Sequence, residues 1–254
     1  VTANPIVITS DSVGNDAPWR GGLVYINDME GKITKINLTS DKFLFDQQTI
    51  MNLKANDKNK RLSYFEMDAA MGTSTGNFWL FGGTGDFNRI GEIDDNQSLM
   101  DNIVYGVKDL DWPDTGLTIT GAAKTVSSVG VLNIDTAACD ITNVPGWFTN
   151  VKTKATLDEP PLGDGQDNMK VIGRAIVANK DVYFTIYRPE DKECPAYGSG
   201  ETIKLKEGCG GGVETIAIGA GLTTAPVMDN KGNIYVGVSN LATGETLEGK
   251  GESG

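Results

Sequence analysis

An acidic segment between residues 92 and 101 has the residue types needed to bind a hard cation. It contains Glu92, Asp94, Asp95, Asn96 and Asp101. Calcium takes about six to eight oxygen ligands, which carboxylates and amides supply, and a bound cation relieves the repulsion between neighbouring carboxylates. Asp94, Asp95 and Asn96 are therefore candidate calcium ligands. The alternative is a solvated acidic loop, the usual state of a charged run.

Histidine is absent from the 254-residue sequence, which removes whole classes of active site. Ser-His-Asp and Cys-His centres need an imidazole as general base, and many zinc and haem sites need one as a ligand. The glycine-rich run at residues 208–212 lacks the Gly-Lys-Ser/Thr ending of a phosphate-binding loop. These absences remove most hydrolase classes and a phosphate-loop nucleotide site.

The three cysteines, Cys139, Cys194 and Cys209, contain no Cys-x-x-C pair, so neither a zinc ribbon nor a thioredoxin-like motif is indicated. Cys194 and Cys209 flank a glycine-rich, hairpin-like stretch, and we expect them to form a disulfide in an oxidising compartment, with Cys139 unpaired. Three buried thiols are the alternative.

The charge balance limits the partners. The chain has 22 Lys and Arg against 34 Asp and Glu, a net charge of −12. Nucleic-acid binding needs a basic track that displaces phosphate counterions, so no nucleic-acid partner is expected. No apolar run approaches the ~20 residues that span a bilayer, so no transmembrane segment is predicted. The first residues carry no signal-peptide pattern, and we expect a mature or trimmed chain.

Short alternating runs bounded by Gly, Asn and Asp predict an all-β fold. The clearest hairpin joins residues 23–26 to residues 32–38, with Ile33, Ile36 and Leu38 available for packing. Two further pairs are expected, of residues 78–81 with 103–107 and of residues 182–187 with 201–206.

One pattern occurs four times: a small residue or Pro with apolar neighbours, then a polar turn, then Gly or Asp before an apolar-aromatic strand. Such repetition is typical of a β-propeller, in which each blade buries its faces against neighbouring blades. The copies are residues 4–7 with 22–26, 68–71 with 76–80, 174–177 with 181–184, and 225–228 with 232–236.

The number of copies predicts a partial ring of three to four blades within a larger propeller, since closed propellers have about four to eight. We expect a propeller segment over residues 1–240 and a flexible C-terminal tail over residues 241–254, rich in Gly, Thr, Glu and Lys. A small four-bladed propeller or an irregular β-sandwich is the alternative. The blade-like units are expected near residues 1–60, 61–125, 165–222 and 223–240, with an insertion in the longest gap between copies.

Several segments in chain order carry a family resemblance. The hairpin at residues 24–38, the apolar strand ending in Gly-Thr-Gly at 77–85 and the Tyr-Gly-Val-Lys-Asp strand at 102–109 resemble segments of the PilY/PilC proteins of type IV pili. The run from Gly146 to the strand at 182–189, ending near Cys194, is similar to a later segment of that family. One departure is Asn27-Asp28, where the family hairpin has Gly-Asp.

This resemblance implies a non-enzymatic, extracellular component of the fimbrium, located at the cell surface or on the pilus after export through the periplasm. Its implied role is in pilus assembly and cell adhesion: it docks to minor pilins at the pilus tip, supports pilus extension and contacts a host or abiotic surface. The remaining propeller blades, from the same precursor or from another chain, are a further implied partner.

The resemblance also nominates a second calcium site, because propellers of the family often carry an Asp-rich loop just before the first hairpin. The matching loop here contains Asp11, Asn15 and Asp16, which are the candidate ligands. The expected Asp-x-Asp-x-Asp-Gly spacing and the closing acid are missing, so a solvated loop with Asx turns is the alternative.

Two other functions fit a propeller. A quinoprotein-type dehydrogenase fragment would need a vicinal cysteine pair, which the sequence lacks. A carbohydrate-binding propeller would use an exposed aromatic side chain; the four tryptophans, Trp19, Trp79, Trp112 and Trp147, are instead expected to fill the gaps between blades.

Overall fold

The computed structural model of the protein describes residues 3–9, 22–38, 45–55, 61–72, 77–91, 102–110, 112, 124–125, 131–133, 145–151, 169–189, 198–208 and 213–239. Within these ranges the regular structure is β-strand apart from one short 3-10 helix, Phe87–Arg89, so the all-β prediction is confirmed there. The strands are β1 (Ile6–Thr9), β2 (Gly22–Asn27), β3 (Lys32–Asn37), β4 (Gln47–Asn52), β5 (Asp68–Met71), β6 (Phe78–Gly83), β7 (Ile103–Asp109), β8 (Lys124–Thr125), β9 (Val131–Asn133), β10 (Gly146–Asn150), β11 (Lys170–Val171), β12 (Ile176–Ala178), β13 (Asp181–Arg188), β14 (Ser199–Lys206), β15 (Glu214–Ala220), β16 (Val227–Met228) and β17 (Ile234–Tyr235).

Three five-stranded sheets begin one after another along the chain, and one strand of sheet one, β8, comes from a later segment. Sheet one has the order β1-β2-β3-β4-β8, and sheet two has the order β5-β6-β7-β10-β9. In sheet three, β11 and β12 both pair with β13, which is followed by β14 and β15. All these pairs are antiparallel except β4–β8 and β9–β10. Strands β16 and β17 form a separate antiparallel hairpin.

Each copy of the repeated sequence pattern forms one antiparallel pair of strands, namely β1–β2, β5–β6, β12–β13 and β16–β17. The three predicted pairings β2–β3, β6–β7 and β13–β14 are also confirmed. Turn chemistry explains the first of these. Gly31 has φ of 70°, a conformation that a residue with a Cβ atom rarely adopts, and the Asp28 carboxylate accepts a hydrogen bond from the backbone N–H of Lys32 at 2.9 Å.

Sheet two is buried on both faces because it lies between sheets one and three. Along β6 the side chains alternate: Phe78 and Leu80 face sheet one, whereas Trp79 and Phe81 face sheet three. Two separate apolar clusters result, one at each junction between sheets. The first contains Leu23, Tyr25, Ile33, Met51, Ile103, Tyr105 and Val107, and the second contains Val104, Trp147, Val171, Val182, Phe184, Ile186 and Leu205.

Packing in β3 differs from the expectation. Ile33 is buried as predicted, but Ile36 and Leu38 are only half-buried, and the fully buried partners of Ile33 are Lys35 and Asn37. Strict two-residue alternation explains this result, since Ile33 and Lys35 point to the same face and Ile36 points to the other.

The long gap between the second and third pattern copies contains an excursion between β7 and β10. Its strand β8 pairs with β4 in sheet one, and its strand β9 pairs with β10 in sheet two. Sheet two therefore extends to Asn150, past the unit expected near residues 61–125. The expected tail, residues 241–254, lies outside the described residues.

The β16–β17 turn depends on one carboxylate, that of Asp229. It accepts the Asn233 side-chain amide at 2.8 Å, the backbone N–H groups of Asn233 and Lys231 at 2.9 and 2.8 Å, and the Tyr235 hydroxyl at 3.1 Å. These bonds, led by the Asn233 side-chain bond, hold the pKa of Asp229 below its ordinary value. Because the pKa of Asp229 is lower in the folded state, its carboxylate stabilises the folded state fully at a pH above the ordinary pKa. This stabilisation disappears as the pH falls through the folded-state pKa.

We therefore expect Asp229→Asn to speed amide hydrogen exchange in the β16–β17 hairpin at pH 7, measured by NMR and corrected for intrinsic rates. The difference from wild type should vanish at a pH below the folded-state pKa of Asp229. Asp28→Asn is the matched control, because Asp28 caps a different turn, the one between β2 and β3. It should leave the exchange rates of the β16–β17 hairpin unchanged. Equal exchange rates at pH 7 in Asp229→Asn and wild type would contradict the assigned role.

Candidate binding groove

The sites nominated from the sequence lie outside the described residues. This applies to Asp11, Asn15 and Asp16, to Asp94, Asp95 and Asn96, and to Cys139, Cys194 and Cys209. Calcium binding and the disulfide therefore stay predictions. Within the described ranges, no three acidic or cysteine side chains converge as metal ligands.

A groove of about 670 Å³ forms where the sheets meet. Residues just before β1, before β5 and before β16 line it, together with the connection from β11 to β12 and the 3-10 helix. The opening strands of all three sheets and of the β16–β17 hairpin thus converge on one space. Gly173 allows this convergence, since a Cβ atom there would lie 2.9 Å from the Ala225 Cα atom.

Glu66 links three of these segments across the groove. The Asn4 side-chain amide donates to Glu66 Oε2 at 2.6 Å, and Arg174 Nη1 donates to Oε1 at 3.5 Å. The Arg174 side chain is 51% exposed and that of Glu66 is 28% exposed, so the pair is accessible from solvent. The three side chains form a hydrogen-bonded set of one amide, one carboxylate and one guanidinium, which is called the polar trio below.

An aromatic wall adjoins the polar trio. The rings of Phe65 and Phe87 meet edge to face, with centroids 5.4 Å apart, and Phe87 is 43% exposed. Beside them, the Tyr64 hydroxyl donates to Asp86 Oδ1 at 3.1 Å and accepts a bond from the Asn88 amide at 3.0 Å. Burial, followed by the charge of Asp86, raises the pKa of Tyr64, so this hydroxyl keeps its proton as a hydrogen-bond donor at neutral pH.

The 3-10 helix that carries Phe87 is fixed to sheet three by a buried lysine. Lys170 Nζ donates to the carbonyl oxygen of Arg89 and, at 3.0 Å, to that of Ile90. Arg89 also lies 3.6 Å from the Asp86 carboxylate. Phe87 is therefore presented from a helix whose C-terminal carbonyls are satisfied, so the wall of the groove is held in place.

At both junctions between sheets, polar side chains that do not line the groove connect one sheet to the next. Between sheets one and two, Lys35 Nζ lies 2.7 Å from Asp109 Oδ2, which also accepts the Tyr25 hydroxyl at 2.6 Å. Between sheets two and three, the Asp68 carboxylate accepts the backbone N–H of Val177 at 2.8 Å. These contacts fix the relative placement of the sheets whose ends form the groove.

Sequence reasoning did not identify the groove residues, although a signal was present. Asn4, Arg174 and Ala225 are the first residues of three copies of the repeated pattern, and all three line the groove. Equivalent positions of a repeated unit are expected to meet at one place in a ring, so the first residues of the copies were the positions to compare.

No protein-family model, curated protein or solved structure matches this chain. None of the helical structure in the described ranges is long and apolar enough to cross a bilayer.

Proposed function

We propose that the chain is a segment of a β-propeller in a PilY/PilC-like pilus tip or pilus-assembly protein, and that it acts by docking to other proteins and not by catalysis. The observation that carries the proposal is the burial of sheet two on both faces, between the sheets before and after it in the chain. Serial face-to-face packing of antiparallel sheets is how propeller blades bury their surfaces.

The strand order within the sheets adds support. Each sheet, apart from its parallel edge strands, is a meander that begins with a short strand and continues with a longer strand that contains at least one aromatic residue. The short opening strands converge at the groove, as the innermost strands of propeller blades converge on the central channel. Of the two alternatives from the sequence, a β-sandwich has two layers and so no sheet buried on both faces, whereas a small four-bladed propeller shares this serial packing.

Apolar side chains on the two outermost faces favour a segment of a larger ring. On the far face of sheet one, Val7, Val24 and Ile36 form a row across three strands, and Val7 is 52% exposed. At the other end, on the face of sheet three that points away from sheet two, Ile216 is 42% exposed. We propose that the remaining blades, from the same precursor or another chain, cover these faces.

The pilus assignment has its support in the sequence resemblance. The segments that resemble the family form the β2–β3 hairpin and the strands β6, β7 and β13. The proposed location is extracellular, at the cell surface or on the pilus. Minor pilins at the pilus tip are the proposed partners, in support of pilus extension and surface adhesion.

Cross-linking mass spectrometry of native cell-surface material, captured through a tag on this chain, tests the proposal. We expect minor pilins and a propeller-completing polypeptide or chain segment among the cross-linked products. Val7→Asp should lower the yield of cross-links to the completing segment, whereas Leu110→Asp, at a 58% exposed position at the end of β7, should leave it unchanged. Absence of pilins from the captured material would overturn the pilus assignment.

The quinoprotein rival is tested separately by adding pyrroloquinoline quinone and measuring dye-linked oxidation of alcohols and sugars. The proposed binding function predicts no saturable activity. Saturable, quinone-dependent turnover would replace it with the dehydrogenase function.

A further inference from the structure

We propose that the groove binds a neutral saccharide, with Phe87 as the stacking surface and the polar trio of Asn4, Glu66 and Arg174 as the hydrogen-bonding set. The site follows from the geometry of the groove and is independent of the pilus assignment.

The size and shape of the groove suit a small ligand. Small-molecule sites are clefts of roughly 300–1,000 Å³, mostly apolar with a few polar groups that fix orientation, and the volume of about 670 Å³ falls within this range. Because its walls come from the opening segments of three sheets and a hairpin, the groove is preformed by the fold.

Phe87 provides the apolar surface. One face of a pyranose ring is a patch of C–H groups, whose slight positive charge is attracted to the negative face of an aromatic ring. Phe87 is 43% exposed, and Phe65 contacts it edge to face at 5.4 Å. The ring is therefore both accessible and held in orientation, which lowers the entropy lost when a ligand stacks on it.

The polar trio matches the hydrogen-bonding character of sugar hydroxyls, each of which donates and accepts. A carboxylate only accepts, a guanidinium only donates through five N–H groups, and an amide does both. Each Glu66 oxygen takes one bond within the trio, from Asn4 or from Arg174, and a carboxylate oxygen can accept a second. Adjacent hydroxyls of one ring can thus pair with neighbouring donors and acceptors.

The charge of the groove favours a neutral ligand. Among the described residues that line it, Glu66 and Arg174 are the charged ones, and they pair with each other. A sulfated or sialylated ligand would gain from Arg174 but would meet Glu66 and the net charge of −12. A neutral saccharide avoids both costs.

A glycan array carrying neutral, sialylated and sulfated oligosaccharides tests the proposal, followed by saturation-transfer NMR and calorimetric titration with the free saccharides. We expect binding to neutral glycans. Phe87→Ala and Arg174→Met should each lower the affinity about tenfold, from the loss of one aromatic contact or one charge-assisted hydrogen bond.

Matched controls separate the groove from general surface effects. Phe45→Ala removes a phenyl ring that is 71% exposed and outside the groove, and Lys231→Met removes an exposed positive charge elsewhere. Both controls should bind like wild type. The proposal is overturned if no neutral glycan binds at millimolar concentration, if binding is unchanged in both groove variants, or if only anionic glycans bind. Failure of pilin capture with intact glycan binding would remove the pilus assignment alone.

Discussion

Replacing Asp109 by alanine is expected to lower the free energy of unfolding by about 3–5 kcal/mol, because it leaves the Lys35 ammonium without its partner in the core between sheets one and two. Both side chains of this pair are 1% exposed, and the N–O distance is 2.7 Å. The same carboxylate accepts the Tyr25 hydroxyl, so the substitution also removes that bond. Urea unfolding followed by tryptophan fluorescence measures the loss.

Two further variants test whether the loss of stability in Asp109→Ala comes from the unpaired buried charge of Lys35 or from the lost contacts alone. The double variant Lys35→Met/Asp109→Leu removes both charges and should recover most of the lost stability, since apolar replacements of a buried pair are often neutral or stabilising. Asp181→Ala removes a carboxylate whose partners Lys206 and Lys204 are 59% and 31% exposed, so it leaves no buried charge behind and should cost only about 0–1 kcal/mol. Similar losses for Asp109→Ala and Asp181→Ala would show that burial of the pair is not the cause.

Replacing Trp147 by alanine is expected to cost about 3–5 kcal/mol at the other junction, between sheets two and three. The indole is 1% exposed, lies opposite Gly106 in the β7–β10 ladder, and packs against Phe81 with centroids 6.2 Å apart. Its N–H group also donates to the Glu207 carbonyl oxygen at 3.2 Å, which links sheet two to the turn after β14. Urea unfolding again gives the change, and Leu110→Ala at an exposed site should stay within about 0.5 kcal/mol of wild type.

Gly106 provides a sharper test of the same contact. A Cβ atom at Gly106 would lie 2.6 Å from Cε2 and Nε1 of Trp147, so Gly106→Ala alone should destabilise the protein. In the Trp147→Ala background that clash is gone, and the added methyl should be tolerated. Additive effects of the two substitutions would show that the indole does not lie over Gly106.

The strands were predictable because their signal is local. The short apolar run Phe78-Trp79-Leu80-Phe81 is bounded by glycines, which favours a strand over a helix, and its apolar residues on both faces reflect the double-sided burial of β6. The short strands β8 and β9 were not predictable, because two or three residues in a segment rich in Thr, Ser and Ala contain no periodicity to detect.

The groove and the buried ion pair could not be predicted from local sequence patterns, because both depend on residues that are distant in the chain. Asn4, Glu66 and Arg174 are far apart in the chain and become neighbours only through the stacking of the sheets. Alternation places Lys35 on the same face as Ile33, but a lysine is expected in solvent, and only the position of Asp109 at the end of β7 supplies the partner that makes its burial possible. The family resemblance nominated the loop at residues 11–16 as a calcium site, and it nominated no residue of the groove.

The excursion between β7 and β10 has a consequence for the order in which the protein folds. Sheet one receives its edge strand β8 only from residues 124–125, and sheet two receives β10 only from residues 146–150. On a ribosome, sheet one cannot be completed until the chain has been synthesised to residue 125, and sheet two cannot be completed until residue 150, whereas sheet three is assembled from residues 170–220. We therefore expect sheets one and two to fold as one cooperative unit, late and through contacts distant in sequence, and sheet three to form faster through its local hairpins.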